Sequence, residues 1–167
     1  MKTVKNLFIL ALVFSFLNIS GCKYDTKGQT LGAFSKRMNI LNEEYEMSPS
    51  GYIYDSDKKT ISKFYTTDKR EILVQFSIND KSELTSMNIV FDNLTQDNQP
   101  ELDFICDCIY AFIDNDKTTE DLLTGIDFYT EIYITSNETR NKKTGDVEIL
   151  MDVTEAYTVI SVVQNIP

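Results

Sequence analysis

Alternation of apolar and polar residues between positions 71 and 78 constrains the fold of this chain more than any other feature. Four apolar side chains recur there at every second position: Ile72, Val74, Phe76 and Ile78. Because consecutive residues of a strand point to opposite faces, these four side chains share one face of a strand. The pattern therefore predicts a β-strand that buries one face in a hydrophobic core.

Polar turns divide the first half of the chain into short strands. Three further segments are predicted strands: residues 52–54, 61–66 and 84–91. Clusters of turn-forming residues such as Asn79-Asp80-Lys81-Ser82 separate them. Connections this short join antiparallel neighbours, since a parallel crossover needs about a dozen residues or more. The first half therefore predicts a four-stranded antiparallel meander.

A second group of strands is predicted toward the C-terminus. Three segments show a period of two: residues 128–135, 147–153 and 156–163. The polar segment 136–146 separates the first two of them and carries Thr144-Gly145-Asp146, so it is interpreted as a long hairpin loop.

Apolar residues recur at steps of three and four in other parts of the chain, which indicates helices. The predicted helices span residues 30–47, 100–114 and 119–124. Thr30 is expected to cap the start of the first, and Pro100 to lie in the first turn of the second. Thr118 and Gly125 are expected to cap the two ends of the third.

These elements predict an α+β fold class. The expected architecture is an antiparallel sheet of about seven strands, in the order α-ββββ-αα-βββ, with helices packed on one face. Each half of the chain runs from a helical segment into an antiparallel meander, and this arrangement suggests a pseudo-repeat. Residues 30–167 are expected to form this single globular domain.

The N-terminal segment has the pattern of a signal peptide. Lys2 and Lys5 precede an apolar run from Leu7 to Leu17 that is broken only by Ser15. This run is about half the roughly 20 residues needed to span a bilayer. Residues 1–21 are therefore predicted to be a signal peptide.

Four residues at the end of this segment resemble a known signal. Ile19-Ser20-Gly21-Cys22 is similar to the lipobox of bacterial lipoproteins, and the domain that follows resembles a small α+β lipoprotein domain. The resemblance implies cleavage before Cys22 and diacylglycerol on its sulfur. It also implies an extracytoplasmic protein, lipid-anchored at the cell membrane or envelope, with residues 22–29 as a short tether. An ordinary secretory signal with an incidental cysteine is the alternative.

Charge and composition exclude several functions. The net charge of −10 argues against nucleic acid, whose binding depends on neutralising phosphates. The chain contains no histidine, which excludes nucleophiles activated by histidine and zinc sites that contain it. No cofactor is indicated by any motif.

Tyrosine is the candidate binding residue, because the chain has nine Tyr and no Trp. Tyr129 and Tyr133, together with Tyr65, are predicted on the polar side of strands. Exposed tyrosines on a rigid sheet can bind glycans or peptides, since the ring supplies contact area while the hydroxyl group forms hydrogen bonds. The alternative is that another layer covers these rings.

Carboxylates between the last two predicted helices form a candidate calcium site. Four acids lie close together in the sequence: Asp114, Asp116, Glu120 and Asp121. The EF-hand pattern fails, because Thr119 stands where glycine is needed and Gly125 where glutamate is needed. The alternative is a solvated turn whose acids suit the N-terminus of the next helix.

Two cysteines remain after Cys22 is set aside. Cys106 and Cys108 are two residues apart on a predicted helix, so their thiols should point about 200° from each other. They are expected neither to bridge nor to share a metal ion, and core packing is the expected role.

Three functions stay open at the level of sequence. The first is a non-catalytic binding module that engages a protein or glycan partner. The second is an inhibitor or immunity-type protein whose acidic surface binds a basic partner. The third, which the missing histidine disfavours, is an enzyme that uses carboxylates or a metal ion.

Overall fold

A computed structural model describes residues 29–41, 51–66, 70–133 and 137–164. The helices are α1 (Leu31–Leu41), α2 (Gln99–Ile113), α3 (Asp116–Gly125) and α4 (Phe128–Glu131). The first five strands are β1 (Gln29–Thr30), β2 (Ile53–Asp55), β3 (Thr60–Thr66), β4 (Glu71–Ile78) and β5 (Glu83–Asp92). The last three are β6 (Glu138–Thr144), β7 (Val147–Val153) and β8 (Tyr157–Gln164). The predicted α+β class is confirmed.

One antiparallel sheet contains all of these strands. Its order is β2-β3-β4-β5-β8-β7-β6, and the short β1 pairs beside the start of β5. Both meanders run inward from an edge, so their final strands, β5 and β8, pair in the middle of the sheet. Each half thus has helices followed by a meander, which is the organisation that the pseudo-repeat predicted.

The helices pack on one face of the sheet and form the main core with it. This core contains Phe34 of α1 and Phe112 of α2, and both contact Phe76 of β4. The alternate residues of β4, from Ile72 to Ile78, all belong to the same core. On the opposite face a separate small apolar cluster contains Leu73, Val90 and Val159. The alternation in β4 therefore does separate the two faces, as predicted.

The first predicted helix and its cap agree with α1 over the residues that the structure describes. The hydroxyl oxygen of Thr30 accepts a hydrogen bond of 3.2 Å from the backbone N–H of Ala33, which is the geometry of an N-cap. Residues 42–47 of the predicted helix lie outside the described residues. The second predicted helix corresponds to α2, with Pro100 in its first turn.

The predicted caps of α3 are wrong. Asn115, not Thr118, caps the helix, and its side chain accepts a hydrogen bond of 3.0 Å from the Thr118 N–H. Asparagine is among the best N-caps, and starting there adds a turn to the helix. Gly125 is the last helical residue rather than a left-handed cap. Its missing side chain instead lets the side-chain carbons of Lys142 on β6 approach to 2.8–3.0 Å from the position that a Cβ atom would take.

Two predictions in the second half are wrong. Within the segment predicted as a strand at residues 128–135, Phe128 to Glu131 form α4 and a turn follows through Tyr133, while residues 134 and 135 lie outside the described residues. The segment predicted as a loop at residues 136–146 contains the edge strand β6. Arg140 of β6 lies 2.9 Å from Glu131 of α4, so an ion pair joins the two misassigned elements.

The turn between β6 and β7 requires its glycine. Thr144 pairs with Val147, which leaves Gly145 and Asp146 as a two-residue loop. Gly145 has a φ of 60°, and type II′ hairpin turns carry glycine at this first loop position. The sequence Thr-Gly-Asp was therefore correctly interpreted as a turn, although the hairpin around it is tight rather than long.

None of the helices within the described ranges is long and apolar enough to cross a bilayer. The predicted signal peptide, the lipobox-like residues 19–22 and the tether up to residue 28 lie outside the described residues.

Candidate functional site

Three tyrosines gather on the outer side of the helical layer, around one cysteine. Tyr110 and Cys106 belong to α2, Tyr129 belongs to α4, and Tyr133 lies in the turn after α4. Cys106 and Tyr110 are four residues apart on one helix, so they point to the same side. We call Cys106, Tyr110, Tyr129 and Tyr133 the tyrosine surface.

Contacts hold the rings of this surface in place. The Tyr110 hydroxyl donates a hydrogen bond of 2.7 Å to Glu120 on α3. Tyr129 interacts with the Cys106 thiol and with Tyr110. The Tyr129 ring also packs edge-on against Phe128, with 5.4 Å between the ring centroids. Phe128 is fully buried whereas Tyr129 is 47 % exposed, so the accessible Tyr129 ring packs against a ring that belongs to the core.

Burial and negative charge raise the pKa values of the groups in this surface, all of which are protonated at neutral pH. Burial, followed by repulsion from Asp107 and Asp103, raises the pKa of Cys106 to about 12. Burial, followed by the charges of Cys106 and Glu120, raises the pKa of Tyr129 to about 12. The pKa values of Tyr110 and Tyr133 are also raised, first by burial. A neutral thiol is a poor nucleophile, so these groups are suited to packing and hydrogen bonding rather than to covalent catalysis.

We expect the free energy of unfolding to fall as the pH rises from about 9 to about 12. Folding raises the pKa of Cys106 from 9.0 to about 12, so in this range the folded state keeps a proton that the unfolded state loses. Such a group lowers stability by up to about 1.4 kcal/mol per pH unit. Urea unfolding across this range should give a shallower slope for Cys106→Ala than for the wild type. Parallel slopes would contradict the assigned shift.

Tyr65 lies away from the tyrosine surface, on the core side of β3. It is only 7 % exposed, and its ring centroid lies 4.9 Å from that of Phe104. Its hydroxyl forms a hydrogen bond of 3.0 Å with the hydroxyl of Tyr52. The exposed residue at this point of β3 is its neighbour, Phe64. The Tyr65 ring is thus covered by another layer of the fold, which was the alternative to an exposed binding residue.

The four acids of the candidate calcium site contact three different partner residues. Arg37 of α1 forms ion pairs with Asp114 and Asp116. Glu120 accepts the hydrogen bond from Tyr110, and Asp121 accepts one from the Thr144 hydroxyl. Within the described ranges, no three side chains of His, Cys, Asp or Glu are grouped so that they could hold a metal ion.

Cys108 and Cys106 occupy different environments, as their spacing predicted. Cys108 is fully buried in the core, whereas Cys106 is partly exposed at the tyrosine surface, and both thiols are free. The contact of Cys106 and Tyr110 with the other tyrosines was not predicted from the sequence. Their separation of four residues on a predicted helix was the available signal.

Comparison with known proteins gives no family for this chain. No protein-family model matches it, and no curated protein or solved structure shows significant similarity to it.

Proposed function

We propose that this protein is a membrane-anchored, extracytoplasmic lipoprotein and that its folded domain is a non-catalytic binding module. The lipobox-like residues ending at Cys22 support the anchor. The tyrosine surface supports the binding role, and the exposed ring of Tyr129 is the observation that carries it.

Tyrosines held in this way suit recognition. A tyrosine ring offers a large contact area with few torsion angles to immobilise, and its hydroxyl group forms directed hydrogen bonds. The Tyr129 ring packs against Phe128 and interacts with the Cys106 thiol, so its side chain has little conformational freedom to lose on binding. The high pKa of Cys106 supports a role without covalent chemistry.

Site-directed photo-crosslinking in the cells that make this protein tests the binding role. A benzophenone amino acid is placed at position 129 of the full chain, and at position 54 in the control. Tyr54 is 59 % exposed on the edge strand β2, so the control is equally accessible but lies on another element. We expect a reproducible adduct from position 129 that position 54 does not give.

Outcomes of this experiment separate the two parts of the proposal. The same adducts from both positions, or no adduct from position 129, would remove the tyrosine surface as a binding site. The anchor is tested by labelling the same cells with a radioactive fatty acid. The wild-type protein should take up the label and Cys22→Ser should not, because diacylglycerol could no longer be attached, and an unlabelled wild-type protein would overturn the anchor.

A further inference from the structure

We infer that the tyrosine surface binds an arginine or lysine side chain presented by a protein partner. This inference rests on the proposed binding function and names the chemistry of its ligand. It is drawn from the carboxylates around the rings, the exposure of Tyr129 and the ion pairs of two of the chain's own arginines.

Carboxylates lie around the rings of this surface. Asp103 and Asp107 are four residues apart on α2, on the side that carries Cys106 and Tyr110. The charge of Asp103 acts on both Cys106 and Tyr133, which places it beside that part of the surface. Glu120 acts on Cys106, Tyr110 and Tyr129 at the other side. Negative charge therefore borders the surface on two sides.

Tyrosine rings and carboxylates attract the same kind of group. The face of an aromatic ring carries partial negative charge, so a cation over the ring gains about 0.5–2 kcal/mol, depending on how far it is removed from water. Carboxylates at the border add Coulomb attraction and accept the hydrogen bonds of a guanidinium or ammonium group. Arginine suits this setting well, because its planar group stacks on a ring while its edge meets a carboxylate.

Two arginines of the chain are engaged by acids other than Asp103 and Glu120. Arg37 pairs with Asp114 and Asp116, and Arg140 pairs with Glu131 and Glu138. The carboxylates of Asp103, Asp107 and Glu120 contribute to the raised pKa values of the tyrosine surface. An arginine or lysine of a protein partner would therefore meet negative charge at this surface.

The exposure of the Tyr129 ring favours a protein over a small cation. This ring is 47 % exposed, so much of its area is open to contact by a second molecule. A small ligand needs a concave site that buries most of its surface, whereas a protein can cover an exposed ring such as Tyr129 with its own surface.

Peptide titration against the full chain in a zwitterionic detergent tests the charge requirement. The probe is a short arginine peptide, and the matched probe carries citrulline, which keeps the shape of arginine but has no charge. We expect the arginine peptide to bind at least about fivefold more tightly than the citrulline peptide. Nuclear magnetic resonance of labelled tyrosine rings should show shifts at Tyr129 and Tyr133 but not at Tyr54.

Matched variants separate local attraction from the overall negative charge. Glu120→Gln keeps an acceptor for the Tyr110 hydroxyl but removes the charge, and it should weaken arginine-peptide binding by about three- to tenfold. Tyr129→Leu should weaken arginine-peptide binding by about five- to thirtyfold, because one ring–cation contact is lost. Glu155→Gln makes the same charge change in the turn between β7 and β8, and it should change the affinity by less than about twofold.

Equal binding of the two peptides, or equal effects of Glu120→Gln and Glu155→Gln, would overturn the inference. If position 129 still gives its specific photo-adduct in that case, the binding function stands and only the cationic ligand is wrong. If the adduct is absent as well, the binding function fails together with the inference.

Discussion

Phe76→Ala should lower the free energy of unfolding by about 3–5 kcal/mol. The Phe76 ring is fully buried in the centre of the core, between the sheet and the helical layer. Its centroid lies 4.8 Å from that of Phe34 on α1 and 6.3 Å from that of Phe112 on α2. Truncation would therefore remove buried apolar area and two aromatic contacts, and it would leave a cavity between elements from both halves of the chain. Urea unfolding followed by circular dichroism measures the loss.

The matched control for this prediction is Phe64→Ala on β3. Phe64 is 42 % exposed on the opposite face of the sheet, so the same substitution should cost about 1 kcal/mol. Similar losses in the two variants would mean that the helices do not cover the face that carries Phe76.

Tyr65→Ala should lower the free energy of unfolding by about 3 kcal/mol. The substitution removes a ring that is 7 % exposed and contacts Phe104, and it takes away the hydrogen-bonding partner of the Tyr52 hydroxyl. Tyr65→Phe keeps the ring and removes only this hydrogen bond, so it should cost about 1 kcal/mol. The difference between the two variants measures the packing of the ring.

Tyr129→Ala provides the comparison between a tyrosine that binds a partner and a tyrosine that packs in the core. Its ring is 47 % exposed, so we expect a stability loss of about 1 kcal/mol or less together with weaker binding. If Tyr65→Ala instead kept wild-type stability and lost binding, Tyr65 would be a ligand-binding residue and its assignment to the core would be wrong.

Strands with one apolar face were predictable from the sequence. The predicted bounds of β4 and β7 match the observed ones, because apolar residues alternate along both segments. Strand β6 escaped prediction because its sequence, Glu-Thr-Arg-Asn-Lys-Lys-Thr, has no apolar residue to reveal a period. Its stability comes from pairing with β7 and from the packing of long side chains such as Lys142, which depend on distant parts of the chain.

Segment 128–135 was misassigned because its spacing fits two structures. Phe128 and Ile132 are four residues apart and both fully buried, a separation that suits a strand with a period of two and also a helical turn. Either structure puts Tyr129 and Tyr133 on one side, so their grouping was predicted although the element was not. Their contact with Cys106 and Tyr110 depends on how α4 packs against α2, and local sequence does not encode that.

The position of β8 sets when this sheet can be completed during synthesis. β8 is the last of the described strands, yet it pairs with β5 on one side and with β7 on the other. Until residues 157–164 have been made, the two meanders remain unjoined, and the backbone edges of β5 and β7 are open to pairing with other chains. The junction between the two halves therefore forms only once β8 is present, and a chain shortened by that strand would lose this junction rather than one edge of the sheet.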